Sequence, residues 1–145
     1  MDSALFFYEH TGFMTAGFLL MLTGITIAVF MRRKRWWLKV HRTAGTLAAA
    51  CFLCGFTSAI AMVALSTGEH FTVIHTWLGL TTVAFAILTP TLGYLRVVLT
   101  GRMNMILITK DIRDAIPTAH RWSGRITLIL ACVTIALGLQ IVGLF

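Results

Sequence analysis

Apolar residues fill this chain in four long blocks, and charged residues punctuate the blocks in clusters. No Asp, Glu, Lys or Arg occurs between Glu9 and Arg32, between Arg42 and Glu69, between Glu69 and Arg96, or beyond Arg125. Each stretch holds at least the ~20 residues that cross ~30 Å of hydrocarbon as a helix. The pattern predicts spans over Leu5 to Met31, Trp37 to Leu65, Phe71 to Val98 and Thr118 to Leu144. With short connections between them, successive spans reverse direction. The expected architecture is all-α: an integral membrane antiparallel four-helix bundle, with residues 1–145 forming one domain.

Composition agrees, with 58% hydrophobic and 12% charged residues, against about a quarter charged in soluble domains. The net charge of +7 would suggest nucleic acid in a soluble protein, but its distribution points elsewhere. Arg32, Arg33, Lys34, Arg35, Lys39 and Arg42 surround the first connection, and Arg96, Arg102, Lys110, Arg113, Arg121 and Arg125 surround the third. Asp2, Glu9 and Glu69 occupy the opposite side, which has no Lys or Arg. Cytoplasmic connections of membrane proteins carry this basic excess, so both termini are expected on the non-cytoplasmic side. The predicted contact is with membrane lipid, and no nucleic-acid partner is expected. No basic region or small-residue cleavage site precedes the first span, so that helix is expected to remain.

Smaller features fit the same frame. Trp36, Trp37, Trp77 and Trp122 fall near span ends, as interfacial anchors do. Cys51, Cys54 and Cys132 lie deep in the spans, where thiols usually behave as small buried hydrophobes. Pro90 should bend the third helix by removing a backbone hydrogen bond. In the third connection, Met105 to Ile116 mixes apolar and charged residues, predicting a short helix on the cytoplasmic surface.

Every span begins with a histidine: His10, His41, His75 and His120. Three continue alike, with glycine at the fourth position beyond and a small residue at the seventh: Gly45 and Ala48, Gly79 and Thr82, Gly124 and Thr127. These offsets share one helix face. The first span has Met14 and Gly17 instead. Any one such histidine would read as an interfacial residue. Four at equivalent positions need a common partner, because an intramembrane imidazole is costly to leave unpaired. His70 lies about 140° around a helix from His75 and reads as solvated.

Antiparallel topology sorts the set into two pairs, His10 with His75 on the outer side and His41 with His120 on the cytoplasmic side. Structural zinc wants four ligands and catalytic zinc three, whereas each side offers two imidazoles without a nearby cysteine. A haem iron already has its ring nitrogens and needs two axial ligands. The small residues beyond each histidine would admit a flat macrocycle. Two b-type haems (haem b) are therefore expected, with Arg125, Arg96 and Arg42, and also Arg121, as candidates to pair with haem propionates.

The stretch Val73-Ile-His-Thr-Trp-Leu-Gly79 resembles the Leu-His-Ser-Trp-Leu-Gly segment of the eukaryotic-type cytochrome b561 family, with His75 at the ligand position. Ala119-His-Arg-Trp-Ser-Gly124 and Val40-His-Arg-Thr-Ala-Gly45 are similar to that family's other histidine segments, and His10 corresponds by topology. The resemblance covers about residues 10 to 145. It implies a four-helix core with one haem-ligating histidine per helix, and electron transfer across the membrane between a small-molecule or protein donor and an acceptor, a quinone among the candidates. The basic segment Met31 to Lys39 does not reproduce the family's longer apolar and basic motif associated with ascorbate. An alternative role is a haem-bearing subunit that passes electrons between quinol and a partner redox protein on the outer side. Either role is compatible with a homodimer or a larger redox complex.

Overall fold

The computed structural model describes residues 3–66, 68–101 and 110–143. They form four helices, α1 (Ser3–Phe30), α2 (Trp37–Leu65), α3 (Ile74–Gly101) and α4 (Lys110–Ile141). All four are long and apolar enough to cross a membrane. Among the described residues there is no strand, as expected where each segment must satisfy its own backbone.

Side chains are distributed as in a lipid-embedded protein. Large apolar residues such as Leu19, Phe30, Tyr94 and Ile129 point outward, while Ala44, Ala48, Val83, Ala86 and Ala131 are buried with Phe52. Lipid is as apolar as leucine, so helix contact favours small residues that bring backbones together. Outward threonines return their hydroxyls to their own helix, as Thr23 does to Leu19 O at 2.8 Å, Thr81 to Trp77 O at 2.9 Å and Thr91 to Ile87 O at 2.8 Å. Among the described residues, every buried side-chain polar atom has a hydrogen-bond partner.

Two hairpins make up the bundle. α1 packs most extensively on α2, and α3 on α4; α2 also meets α3, α1 touches α4 lightly, and the α1–α3 and α2–α4 pairs stand diagonally opposed without close backbone contact. Glycines set the α1–α2 approach. A Cβ on Gly17 would lie 3.3 Å from the carbonyl oxygen of Ala48, and one on Gly55 would lie 3.3 Å from that of His10.

Several sequence expectations change in detail. α3 runs through Pro90 without interruption, and the Thr89 hydroxyl donates to Phe85 O in the preceding turn, at 2.8 Å. The expected surface helix over Met105 to Ile116 is not separate where it is described. Residues from Lys110 belong to α4, which continues through Pro117, because one missing N–H removes one bond without ending a helix held by its neighbours. Met105 to Thr109 lie outside the described residues. Cys51 is half-buried, but Cys54 and Cys132 face outward, so packing against lipid replaces the expected burial. His70 is exposed in the connection before α3. Trp77 is 57% exposed and donates its indole N–H to Phe71 O at 3.0 Å, the amphipathic arrangement expected of an interfacial anchor.

Because its Cβ position is already filled by α2, Gly17→Val should destabilise the fold by about 1–3 kcal/mol. Gly12→Val, with nothing within 4 Å, should leave stability nearly unchanged. Thermal unfolding of both variants in detergent, compared with the unsubstituted chain, checks the difference.

Candidate functional site

Each helix carries one of the four histidines, His10 on α1, His41 on α2, His75 on α3 and His120 on α4, and each of those imidazoles is held by a neighbouring backbone. The Nδ1 of His10 lies 2.9 Å from Gly55 O and that of His41 lies 2.9 Å from Gly24 O. In the other hairpin, the Nδ1 of His75 lies 3.0 Å from Thr134 O and that of His120 lies 2.8 Å from Thr89 O. A carbonyl only accepts, so each Nδ1 is the N–H donor and each Nε2 keeps its lone pair. Histidines that ligate metals are commonly fixed in this way by a backbone carbonyl on the far ring nitrogen.

The bonds are reciprocal within each hairpin. The accepting residue always lies fourteen positions beyond that helix's own histidine: Gly24 after His10, Gly55 after His41, Thr89 after His75, Thr134 after His120. Fourteen residues of helix rise about 21 Å. The imidazoles therefore gather at two levels of the bundle, separated by roughly that distance.

Across the hairpins, the histidines meet as topology requires. The rings of His10 and His75 have centroids 6.3 Å apart and planes at 83°; those of His41 and His120 are 6.0 Å apart at 86°. An iron bound by two Nε2 atoms separates ring centres by about 6 Å, taking ~2 Å for each metal–imidazole bond and ~1 Å from nitrogen to ring centre. Both pairs have this separation. Among the described residues, no group of three or more His, Cys, Asp or Glu side chains converges to hold a bare metal ion. Two-ligand sites on facing helices suit haem iron better than zinc.

Local packing holds the rings in place. A Cβ on Gly93 would lie 3.0 Å from the Cε1 of His120, and one on Gly138 would lie 3.0 Å from the Cε1 of His75. Gly45, four residues beyond His41, faces open space, with nothing within 4 Å of its Cβ position. A planar group could lie against that backbone. Gly79 and Gly124 have only ordinary contacts, at 3.9 Å to Thr134 and 3.6 Å to Thr89. Met14, where the first span departs from the pattern, packs its side chain against Gly55.

The candidate arginines separate. Arg96 lies on α3 three residues beyond Gly93, whose Cβ position meets the His120 ring. Arg42 follows His41 on an exposed face and lines a groove with Arg35, Lys39, Thr43 and Thr46. Arg125 stacks over Trp122, its guanidinium carbon 5.0 Å from the ring centroid. Arg121 reaches Thr118 Oγ1 at 3.4 Å on the exposed side of α4.

Sequence reasoning passed over the four accepting residues and the two glycines beneath the rings. Their signal was present in the spacing. Eighteen residues after each histidine stand Ala28, Ala59, Gly93 and Gly138, all small.

Four membrane helices with diagonally paired, carbonyl-anchored imidazoles define a class, the helical membrane cytochromes of b type. The family model described as eukaryotic cytochrome b561 matches residues 9–145, and the chain belongs to that family. It is accordingly an integral membrane protein that binds b-type haem and acts in transmembrane electron transfer. No curated protein and no solved structure matches the chain.

The glycines beneath the rings supply a test. Gly93→Val should dislodge His120 and Gly138→Val should dislodge His75, each lowering the haem content of the purified protein. Gly12→Val, on an open helix face, should leave it unchanged. Haem extraction and quantitation against protein concentration checks all three.

Proposed function

We propose that the chain holds two b-type haems by bis-histidine ligation, one between His10 and His75 and one between His41 and His120, and works as a transmembrane oxidoreductase. The observation that carries this reading is the fourfold histidine-to-carbonyl bond, which leaves each Nε2 with its lone pair and gathers the rings in two pairs. Bound there, the haems supply one-electron redox chemistry. The protein supplies orientation: each Nδ1–H bond fixes ring tautomer and tilt, so the ligand atoms are set before the cofactor arrives.

The basic residues around the His41 and His120 level support a cytoplasmic position for it, with both termini on the opposite side, by the positive-inside rule. Arg96 and Arg42 are the residues proposed to meet propionates at that level, since a guanidinium pairs with carboxylates through charge-assisted bonds. Arg125, stacked on Trp122, is proposed to reach the headgroup region instead, as long basic side chains near span ends do. Between the levels, Phe52, Val83, Ala86 and Ala131 form a buried apolar cluster, with Met14, Phe18, Met21 and Phe56 against it. Such packing keeps water out of the middle of the bundle while leaving the levels about 21 Å apart. Donor and acceptor are small molecules or proteins that exchange single electrons at the two faces, quinones among them.

Substitution of the ligands tests the pairing. His41→Ala and His120→Ala should each abolish the same spectral component, and His10→Ala and His75→Ala should abolish the other, in a potentiometric titration of the purified chain followed at the α band. Loss of one component through both His41 and His75 would overturn the assignment.

A further inference from the structure

The two hairpins anchor their histidines on different chemistry. In α1–α2 the accepting carbonyls belong to Gly24 and Gly55, which carry no side chain; in α3–α4 they belong to Thr134 and Thr89. Both threonine hydroxyls take part in contacts between the helices. Thr134 Oγ1 lies 3.1 Å from Thr82 Oγ1, while Thr82 donates to Leu78 O at 2.7 Å. Thr82 has one proton, so Thr134 is the donor of the pair. At the other level, Thr89 Oγ1 lies 3.1 Å from Ser123 Oγ and 3.2 Å from Thr127 Oγ1.

That second cluster has more contacts than protons. Thr89, Ser123 and Thr127 each also reach a backbone acceptor: Phe85 O at 2.8 Å, His120 O at 3.0 Å and Ser123 O at 2.7 Å. Three hydroxyl protons serve five contacts, so each hydroxyl that donates to its own helix offers its oxygen to the cluster as an acceptor. Thr82, Ser123 and Thr127 are buried, at 3%, 4% and 2% exposure. Among the described residues no hydrogen bond joins the two clusters, and Val83 and Ala86 on α3 with Ala131 on α4 lie between them in sequence and in the apolar core.

The geometry points to Thr89, with Ser123 and Thr127, and to Thr134, with Thr82, as two independent positioning groups that set the redox potentials of the two haem sites. This inference rests on the two-haem reading above. Ferric haem carries one more positive charge than ferrous haem. In a site of low dielectric, hydroxyl dipoles that turn their oxygens toward that charge stabilise it far more than they would in water. Hydrogen bonding and polarity next to axial ligands are established controls on haem potential. Each cluster is attached to one imidazole only, Thr134 through His75 and Thr89 through His120. Their effects should therefore be separable. Glycine carbonyls in the other hairpin hold the opposite ligands without contributing a hydroxyl.

The sign follows from the charge. Removing a hydroxyl while keeping side-chain shape disfavours the ferric form and raises the potential. Potentiometric titration of the purified, haem-loaded full chain should show Thr89→Val raising the potential of the component lost in His120→Ala, and Thr134→Val raising that lost in His75→Ala. The expected change in the reduced-to-oxidised ratio at fixed potential is up to about tenfold, or 59 mV for a one-electron couple. In each case the other component stays in place. Thr89→Ser and Thr134→Ser, which restore a hydroxyl, should return the potential toward its original value. Equal shifts in both components, no shift, a fall in potential, failure of the serine variants to restore it, or loss of haem from the valine variants would overturn the inference. Failure of the two-haem reading is seen separately, as a single component in the unsubstituted chain.

Discussion

Everything at the centre of this bundle depends on one hydrogen bond, from an imidazole Nδ1–H to a backbone carbonyl on the antiparallel neighbour, made four times. It fixes the axial register of α1 against α2 and of α3 against α4. The same bond selects the tautomer and leaves Nε2 its lone pair, in a ring that lies beside the imidazole of the diagonal helix. An intrahelical carbonyl already accepts one N–H and has a second lone pair to offer, so the anchor takes nothing from the helix that supplies it. Individually such interhelical bonds in membranes are worth only about 0.6 kcal/mol. Their weight here lies in geometry, because all four agree on the same two levels.

Carbonyls become reachable only where the intervening side chain is small, and the hairpins achieve this differently. Gly24 and Gly55 are themselves the acceptors in α1–α2, and Gly17 draws the backbones together between them. In α3–α4 the acceptors are threonines, and the space for each ring comes one turn further on, at Gly93 and Gly138. Hydroxyl contacts thus join α3 to α4 around the anchors, whereas α1 meets α2 there through glycine, with the Ser58 hydroxyl and the Glu9 carboxylate, 3.3 Å apart, as a polar contact between them. The two histidine pairs are thus alike in construction, each level drawing one imidazole from the glycine-anchored hairpin and one from the threonine-anchored hairpin.

Much of the fold was legible in the chain because a bilayer imposes few and severe rules. The charge-free stretches locate the spans, and four matching helices follow. Reversal of direction between successive spans brings His10 to His75 and His41 to His120, as the ring separations show. Less legible were features that depend on which side of a helix faces lipid. Cys54 and Cys132 turned outward, and Arg125 came to lie over Trp122; both outcomes are decided by helix rotation, which a block of uniformly apolar residues leaves nearly unspecified.

The sequence by itself determined the membrane class, the number of spans and the histidine set with its sorting into two levels, since these follow from hydropathy, length and chain direction. Tertiary structure decided what holds each histidine. A backbone carbonyl is common to every residue and carries no signature of its own, so Gly24, Gly55, Thr89 and Thr134 become acceptors only through the register and closeness of the neighbouring helix. The two glycines under the rings have the same origin. Their lack of a side chain acquires its meaning from imidazoles distant in the chain, His75 for Gly138 and His120 for Gly93, whose Cε1 atoms lie 3.0 Å from the would-be Cβ positions.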